Sequence, residues 1–172
     1  IGMLPMENLL DLAATTGQLL LARNESLTLA ESCTGGGLAC AVTEIAGSSA
    51  WFDRGFVTYS NAAKVQMLGI RPETLAAHGA VSEEIAAEMA QGALARSGAG
   101  IAVAVTGIAG PGGSEHKPEG RVCFGIADAR GARTETVEFG PLGRAEVRRA
   151  TVDHALTLLA RALDPTGQAP AC

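Results

Sequence analysis

Ser32 and Cys33 are the candidate nucleophiles of this chain, and they head the stretch Glu31-Ser32-Cys33-Thr34-Gly35-Gly36-Gly37. A serine hydroxyl is nearly inert at neutral pH and needs a base beside it. The three histidines are poorly placed for that task. His78 precedes a glycine in a turn, His116 lies in a polar loop and His154 falls on a helix, so each reads as an ordinary surface histidine. The natural substitute is a lysine whose pKa is lowered by burial or by nearby positive charge. Lysine is scarce: the chain has only Lys64 and Lys117. Lys117 falls in the polar stretch 114–120, expected to be mobile. Lys64 lies five residues after Tyr59, on a short helix beginning near Asn61 just past a strand end. Ser32, Tyr59 and Lys64 thus fall on one expected rim. Spacing alone equally allows Tyr59 as a half-buried strand residue and Lys64 as a solvated helix residue.

The elements that must position these residues are legible from periodicity. Leu9, Leu12, Ala13, Thr16, Leu19 and Leu20 recur at helical spacing over 6–23, with acids near the start where they suit the helix dipole. Residues 27–30 read as the first strand and 36–45 as a helix whose N-terminus faces the Ser32 loop. Residues 55–60 read as a strand, and Asn61 as the N-cap of a helix through Leu68. Pro72 suits the first turn of a further helix, and Ser82 opens a long one. Residues 101–106 give the strongest buried-strand signal. Residues 122–128 and 134–139 pair as a hairpin about Arg130-Gly131, and 144–163 form the last helix. Helices alternating with strands, then a hairpin before a helix, predict a three-layer α/β domain, its sheet mostly parallel with an antiparallel strand. No repeat or linker divides it, so we expect one domain over 1–172 with a core of about 7–163.

Composition narrows the function. With 172 residues and 47% hydrophobic content the chain has ample material for a core and is not intrinsically disordered. Aromatics make up 3% and the net charge is −5, which argues against a base-stacking or phosphate-binding nucleic-acid surface. No apolar run approaches a membrane span, and residues 1–5 lack the basic and apolar regions of a signal peptide. Cys33, Cys40, Cys123 and Cys172 show neither zinc nor redox spacing, so we expect reduced thiols in a cytoplasmic protein with no metal and no cofactor. Three loops of small residues follow or adjoin strands, and the carboxyl ends of strands are where ligands sit in open α/β sheets. They are not a Walker A loop, a G-x-G-x-x-G turn or a G-x-S-x-G elbow.

Six motifs, in order, resemble the CinA C-terminal-domain family. They are Ala30-Glu31-Ser32-Cys33-Thr34-Gly35-Gly36; Gly47-Ser48-Ser49-Ala50-Trp51-Phe52; Val57-Thr58-Tyr59-Ser60-Asn61-Ala62-Ala63-Lys64; Gly79-Ala80-Val81-Ser82-Glu83; Thr106-Gly107-Ile108-Ala109-Gly110-Pro111-Gly112-Gly113; and Lys117-Pro118-Glu119-Gly120. The resemblance covers about 7–163 and is closest to the stand-alone form, without the extra N-terminal domain of larger members. Two departures stand out. Leu142-Gly143-Arg144 replaces a common Gly-Asp-Arg, and Glu119 and Arg121 stand where valine and threonine are frequent.

The resemblance implies a three-layer α/β/α domain with a mixed five-stranded sheet, often dimeric. It implies a metal-independent Ser/Lys hydrolase that converts nicotinamide mononucleotide to nicotinic acid mononucleotide and ammonia in pyridine-nucleotide recycling. On that basis Ser32 maps to the nucleophile, Lys64 to the base and Tyr59 to an accompanying hydroxyl. Ser32 is preferred to Cys33 because a thiol hardly needs a lysine base. N–H donors for the oxyanion are expected from Thr34, Gly35 and Gly36 or from Ser48 and Ser49. The phosphate is expected at Thr106 and Gly107 with Arg144 or Arg148. A small pyridine nucleotide is the expected partner, with no nucleic acid or membrane. The competing expectation is a nucleotide-binding regulatory module, tied to competence or DNA damage, that binds without turnover.

Overall fold

Along Ile101-Ala102-Val103-Ala104-Val105, branched residues alternate with alanine, and that alternation sets the two faces of the sheet. The computed structural model describes residues 6–166. The elements in chain order are α1 (Met6–Ala22), β1 (Leu27–Glu31), α2 (Gly37–Thr43), β2 (Phe52–Val57), α3 (Asn61–Leu68), α4 (Pro72–His78), α5 (Glu83–Ala95), β3 (Ile101–Gly107), β4 (Arg121–Asp128), β5 (Gly131–Glu138) and α6 (Arg144–Leu163). The sheet order is β2-β1-β3-β4-β5. β1 runs parallel to both β2 and β3, and β4 is antiparallel to both β3 and β5. Four strands therefore share one direction and β4 alone opposes them, the mixed and mostly parallel α/β arrangement expected.

The branched face, with Leu27, Leu29, Val103, Val105 and Phe124, packs under α1, α2 and α6. The alanine face, with Ala30, Ala102, Ala104 and Ala127, packs under α3 and α5. Small residues are required there because α5 lies close to the sheet: a Cβ on Gly125 would stand 2.5 Å from the carbonyl oxygen of Ala86. At the start of α5, Glu83 accepts from the Thr134 and Thr136 hydroxyls of β5 at 2.7 and 2.8 Å. Among the described residues no helix is long and apolar enough to cross a membrane. Residues 1–5 and Cys172 lie outside the described residues.

Some boundaries differ from those the sequence suggests. β2 begins at Phe52 rather than 55. It is an edge strand, so Asp53 and Arg54 face outward and give no apolar signal. Ser60, not Asn61, caps α3: its Oγ accepts from the Ala63 amide at 3.0 Å. The 114–120 stretch contains a tight turn in which Ser114 and Lys117 exchange main-chain hydrogen bonds of 3.0 and 2.8 Å. The Lys117 ammonium donates to the carbonyls of His78 and Val81 at 2.6 Å each, tying that turn to the α4–α5 connection. His154 is not a surface histidine. It pairs with Glu135 and its ring lies 4.6 Å from that of Phe124.

Candidate active site

β1, β2 and β3 end together, and the chain turns on leaving each of them. Glu31, Val57 and Val105 are in register at that rim. The residues just beyond, Ser32, Thr58-Tyr59 and Thr106-Gly107, are therefore neighbours despite their separation in sequence. The Thr58 amide still donates to the Glu31 carbonyl at 2.8 Å, after which Ser60 starts α3 and turns Lys64 inward.

Lys64 is 1% exposed, the largest fully buried side chain among the described residues. Its Nζ lies 2.9 Å from Ser32 Oγ and donates to the carbonyls of Thr58 at 2.8 Å and Tyr59 at 3.3 Å. Burial pushes the ammonium pKa below its ordinary value, opposed by the nearby Cys33 and Glu115. An amine so placed can hold the serine proton. Cys33 is buried as well, and burial pushes its thiol up to about 12. It is a thiol at neutral pH, not a thiolate nucleophile.

These groups line a cavity of about 320 Å³, with Ser32, Lys64, Asn61, Thr106, Gly107 and Arg144 on its walls. Tyr59 is also on the wall and is 60% exposed, so its ring is open to a ligand rather than embedded in the core. Its hydroxyl accepts from Arg144 Nη2 at 2.8 Å, while Arg144 Nη1 donates to the Gly110 carbonyl at 2.8 Å. Arg144 thereby spans the mouth from β2 to the loop after β3. The Thr106 hydroxyl is occupied by the Ala80 carbonyl at 2.8 Å, so it braces the rim.

Three groups of candidates lie elsewhere. Ser48 and Ser49 precede β2, at the opposite end of the parallel strands, where the Trp51 carbonyl accepts from the Leu27 amide. A five-residue strand separates them from Ser32 by roughly 15 Å, too far to donate to an oxyanion at Ser32. Arg148 is not on the cavity wall: its guanidinium donates to the carbonyls of Cys33 and Thr34 at 3.1 Å each, holding the Ser32 loop from behind. Thr34, Gly35 and Gly36 form the turn leading into α2, away from the cavity. The Gly35 amide is bonded to the Ser32 carbonyl at 3.0 Å. Nor are the first amides of α2 open donors.

Glu31 is the reason, and the sequence reading missed it. Its carboxylate is fully buried and accepts from Thr34 Oγ1 at 2.5 Å, the Leu38 amide at 2.8 Å and the Ala39 amide at 3.0 Å. It occupies the α2 N-terminus, where a negative charge is favoured, and locks the turn carrying Ser32. An acid ending an otherwise apolar strand just before a glycine run was the available signal. Among the described residues, no group of three or more His, Cys, Asp or Glu is placed to hold a metal ion.

A buried lysine bonded to a serine at a sheet rim defines a serine–lysine pair on an α/β scaffold. Residues 9–163 match the CinA C-terminal domain, and the chain belongs to that family. It is 55% identical over 152 residues to the nicotinamide-nucleotide amidohydrolase PncC of Escherichia coli K12, covering 88% of this chain and 92% of that protein. It is 62% identical over 112 residues to a CinA-like protein of Chloroherpeton thalassium, of which it covers 27%. Among solved structures, competence/damage inducible protein CihA from Agrobacterium tumefaciens superposes with a TM-score of 0.87 at 48% identity, over 95% of this chain and 98% of that one. ComA from Klebsiella pneumoniae superposes with a TM-score of 0.87 at 42% identity, over 90% and 96%.

Proposed function

We propose that this chain hydrolyses the carboxamide of nicotinamide mononucleotide to nicotinic acid mononucleotide and ammonia, with Ser32 as nucleophile and Lys64 as base. The observation that carries the mechanism is the 2.9 Å contact between Lys64 Nζ and Ser32 Oγ inside a buried pocket. The substrate is supported by the likeness to PncC.

Neutral Lys64 removes the Ser32 proton as Oγ bonds to the amide carbon, giving a tetrahedral oxyanion. The main-chain N–H of Cys33, a residue that lines the cavity, is the donor we assign to that oxygen. The lysine proton passes to the amide nitrogen, the C–N bond breaks and ammonia leaves. Lys64, neutral again, deprotonates a water that attacks the seryl ester, and the acid product departs as Ser32 recovers its proton. Arg144, at the cavity mouth, suits bidentate contact with the nucleotide phosphate. Tyr59, already bonded to Arg144, presents its ring and hydroxyl beside the substrate.

Ammonia release from nicotinamide mononucleotide by wild type, Ser32→Ala and Lys64→Ala tests this. The wild type is expected to turn over. Ser32→Ala should fall to background and Lys64→Ala by about 10²–10⁴, the range of a general base. Equal rates in all three remove the mechanism. Tight nucleotide binding by a wild type that releases no ammonia makes the chain a binding module.

A further inference from the structure

Glu115 is the single carboxylate among the residues lining the Ser32 cavity. It sits at the tip of the turn closed by Ser114 and Lys117, with φ +52°. That turn is fixed by its own main-chain hydrogen bonds and by the Lys117 ammonium, not by Glu115. Lys117 stands beside it across Gly79, yet Glu115 forms no ion pair or hydrogen bond among the described residues. The other charged groups on the wall are Lys64 and Arg144. A carboxylate here favours the protonated form of Lys64, which is adverse to a base that must be neutral. Neither the turn's own hydrogen bonds nor proton removal calls for a carboxylate at this position, where Lys117 Nζ is a neighbouring cation outside hydrogen-bond range.

Resting on the proposed function, the ligand carries a charge that suits a carboxylate. A nicotinamide ring bonded to ribose through its nitrogen is a pyridinium with a fixed positive charge, whereas free nicotinamide is neutral. With the carboxamide at Ser32 and the phosphate at Arg144, the ring lies in the cavity that Glu115 faces. We propose that Glu115 is the electrostatic partner of the pyridinium, a specificity-determining residue that selects cationic N-ribosyl nicotinamides over neutral rings of the same shape.

The probe is the reduced mononucleotide, which keeps the carboxamide, ribose and phosphate but has a neutral ring. KM and kcat for nicotinamide mononucleotide, and the inhibition constant of the reduced form, are measured for wild type, Glu115→Gln and Glu115→Asp. Glu115→Gln is expected to raise KM for the cationic substrate about threefold, the effect of one exposed charge pair. It should move kcat less and leave the inhibition constant of the reduced form in place. Glu115→Asp should restore most of the preference. Added salt should shrink the preference in wild type and not in Glu115→Gln. Glu115→Gln shifting both ligands equally, or neither, while wild type turns over, overturns this inference and leaves the hydrolase reading intact. A wild type that releases no ammonia overturns both.

Discussion

The Tyr59 hydroxyl and the Arg144 guanidinium are joined at 2.8 Å, although 85 residues separate them in sequence. Tyr59 leaves the end of β2 and Arg144 opens α6, so the bond clasps two elements across the cavity mouth. The same Tyr59 offers its main-chain carbonyl to Lys64. One residue therefore touches both the buried amine and the arginine proposed for the phosphate.

Two arginines one helical turn apart are expected to differ in kind when removed. Arg144→Ala deletes a cavity-wall charge and should raise KM for nicotinamide mononucleotide about tenfold, equivalent to about 1.4 kcal/mol, with a smaller change in kcat. Arg148→Met deletes two charge-assisted hydrogen bonds to the Cys33 and Thr34 carbonyls. It should lower stability by about 1–2 kcal/mol and reduce kcat more than it raises KM. Steady-state kinetics with thermal melts separate the two. A common KM effect with unchanged melting places both arginines on the substrate.

As the proposed base, Lys64 should set the pH dependence. Burial holds its folded-state pKa below the ordinary 10.5, so the unfolded chain binds the proton more tightly. Stability contributed by the neutral amine therefore grows as pH rises from the lowered folded pKa towards 10.5. It is lost as pH falls to that lowered value, below which the slope disappears. Activity has the same sign, because only the unprotonated amine takes the serine proton. The kcat/KM profile of wild type should drop on its acid side. The melting temperature of wild type relative to Lys64→Met should climb through the same alkaline window. A flat rate profile, or a difference in melting independent of pH, contradicts a buried lysine base.

The strands were legible where burial on both faces forces apolar runs, as in β3, and the helices where a face repeats, as in α6. Edge strand β2 was misplaced because Asp53 and Arg54 meet solvent and leave no periodic trace. For the site, the scarcity of lysine and the position of Lys64 past a strand end made it a candidate base for Ser32 but equally allowed a solvated helix residue, and it was the resemblance to the CinA family that paired the two. Which surface loops share a rim was not legible from composition. Ser48 and Ser49 sit in a small-residue loop like the others, but that loop enters a strand instead of leaving one. Arg148 and Arg144 share a helix, and only the path of α6 past the Ser32 loop tells them apart. Glu31 was marked in the sequence only as an acid closing a mostly apolar strand before a glycine run, and what it does there follows from its three donors.

Glu31→Gln tests whether the buried carboxylate sets the geometry of the nucleophile. In the wild type one oxygen accepts from Thr34 Oγ1 and the Leu38 amide, and the other from the Ala39 amide. Glutamine is close in shape but has one acceptor oxygen, and its NH2 group must face an N–H donor in either orientation. At least one buried donor then loses its partner, at a cost of about 1–3 kcal/mol, and the helix N-terminus loses its compensating charge. We expect a lower melting temperature together with a fall in kcat, because Ser32 adjoins Glu31 and its carbonyl receives the Gly35 amide within the same turn. KM should move less, since Arg144 and Glu115 are carried by other elements. Thermal melts and ammonia-release kinetics on one preparation decide the matter. A Glu31→Gln protein that melts lower yet retains full kcat shows that the carboxylate stabilises α2 without holding the serine in position.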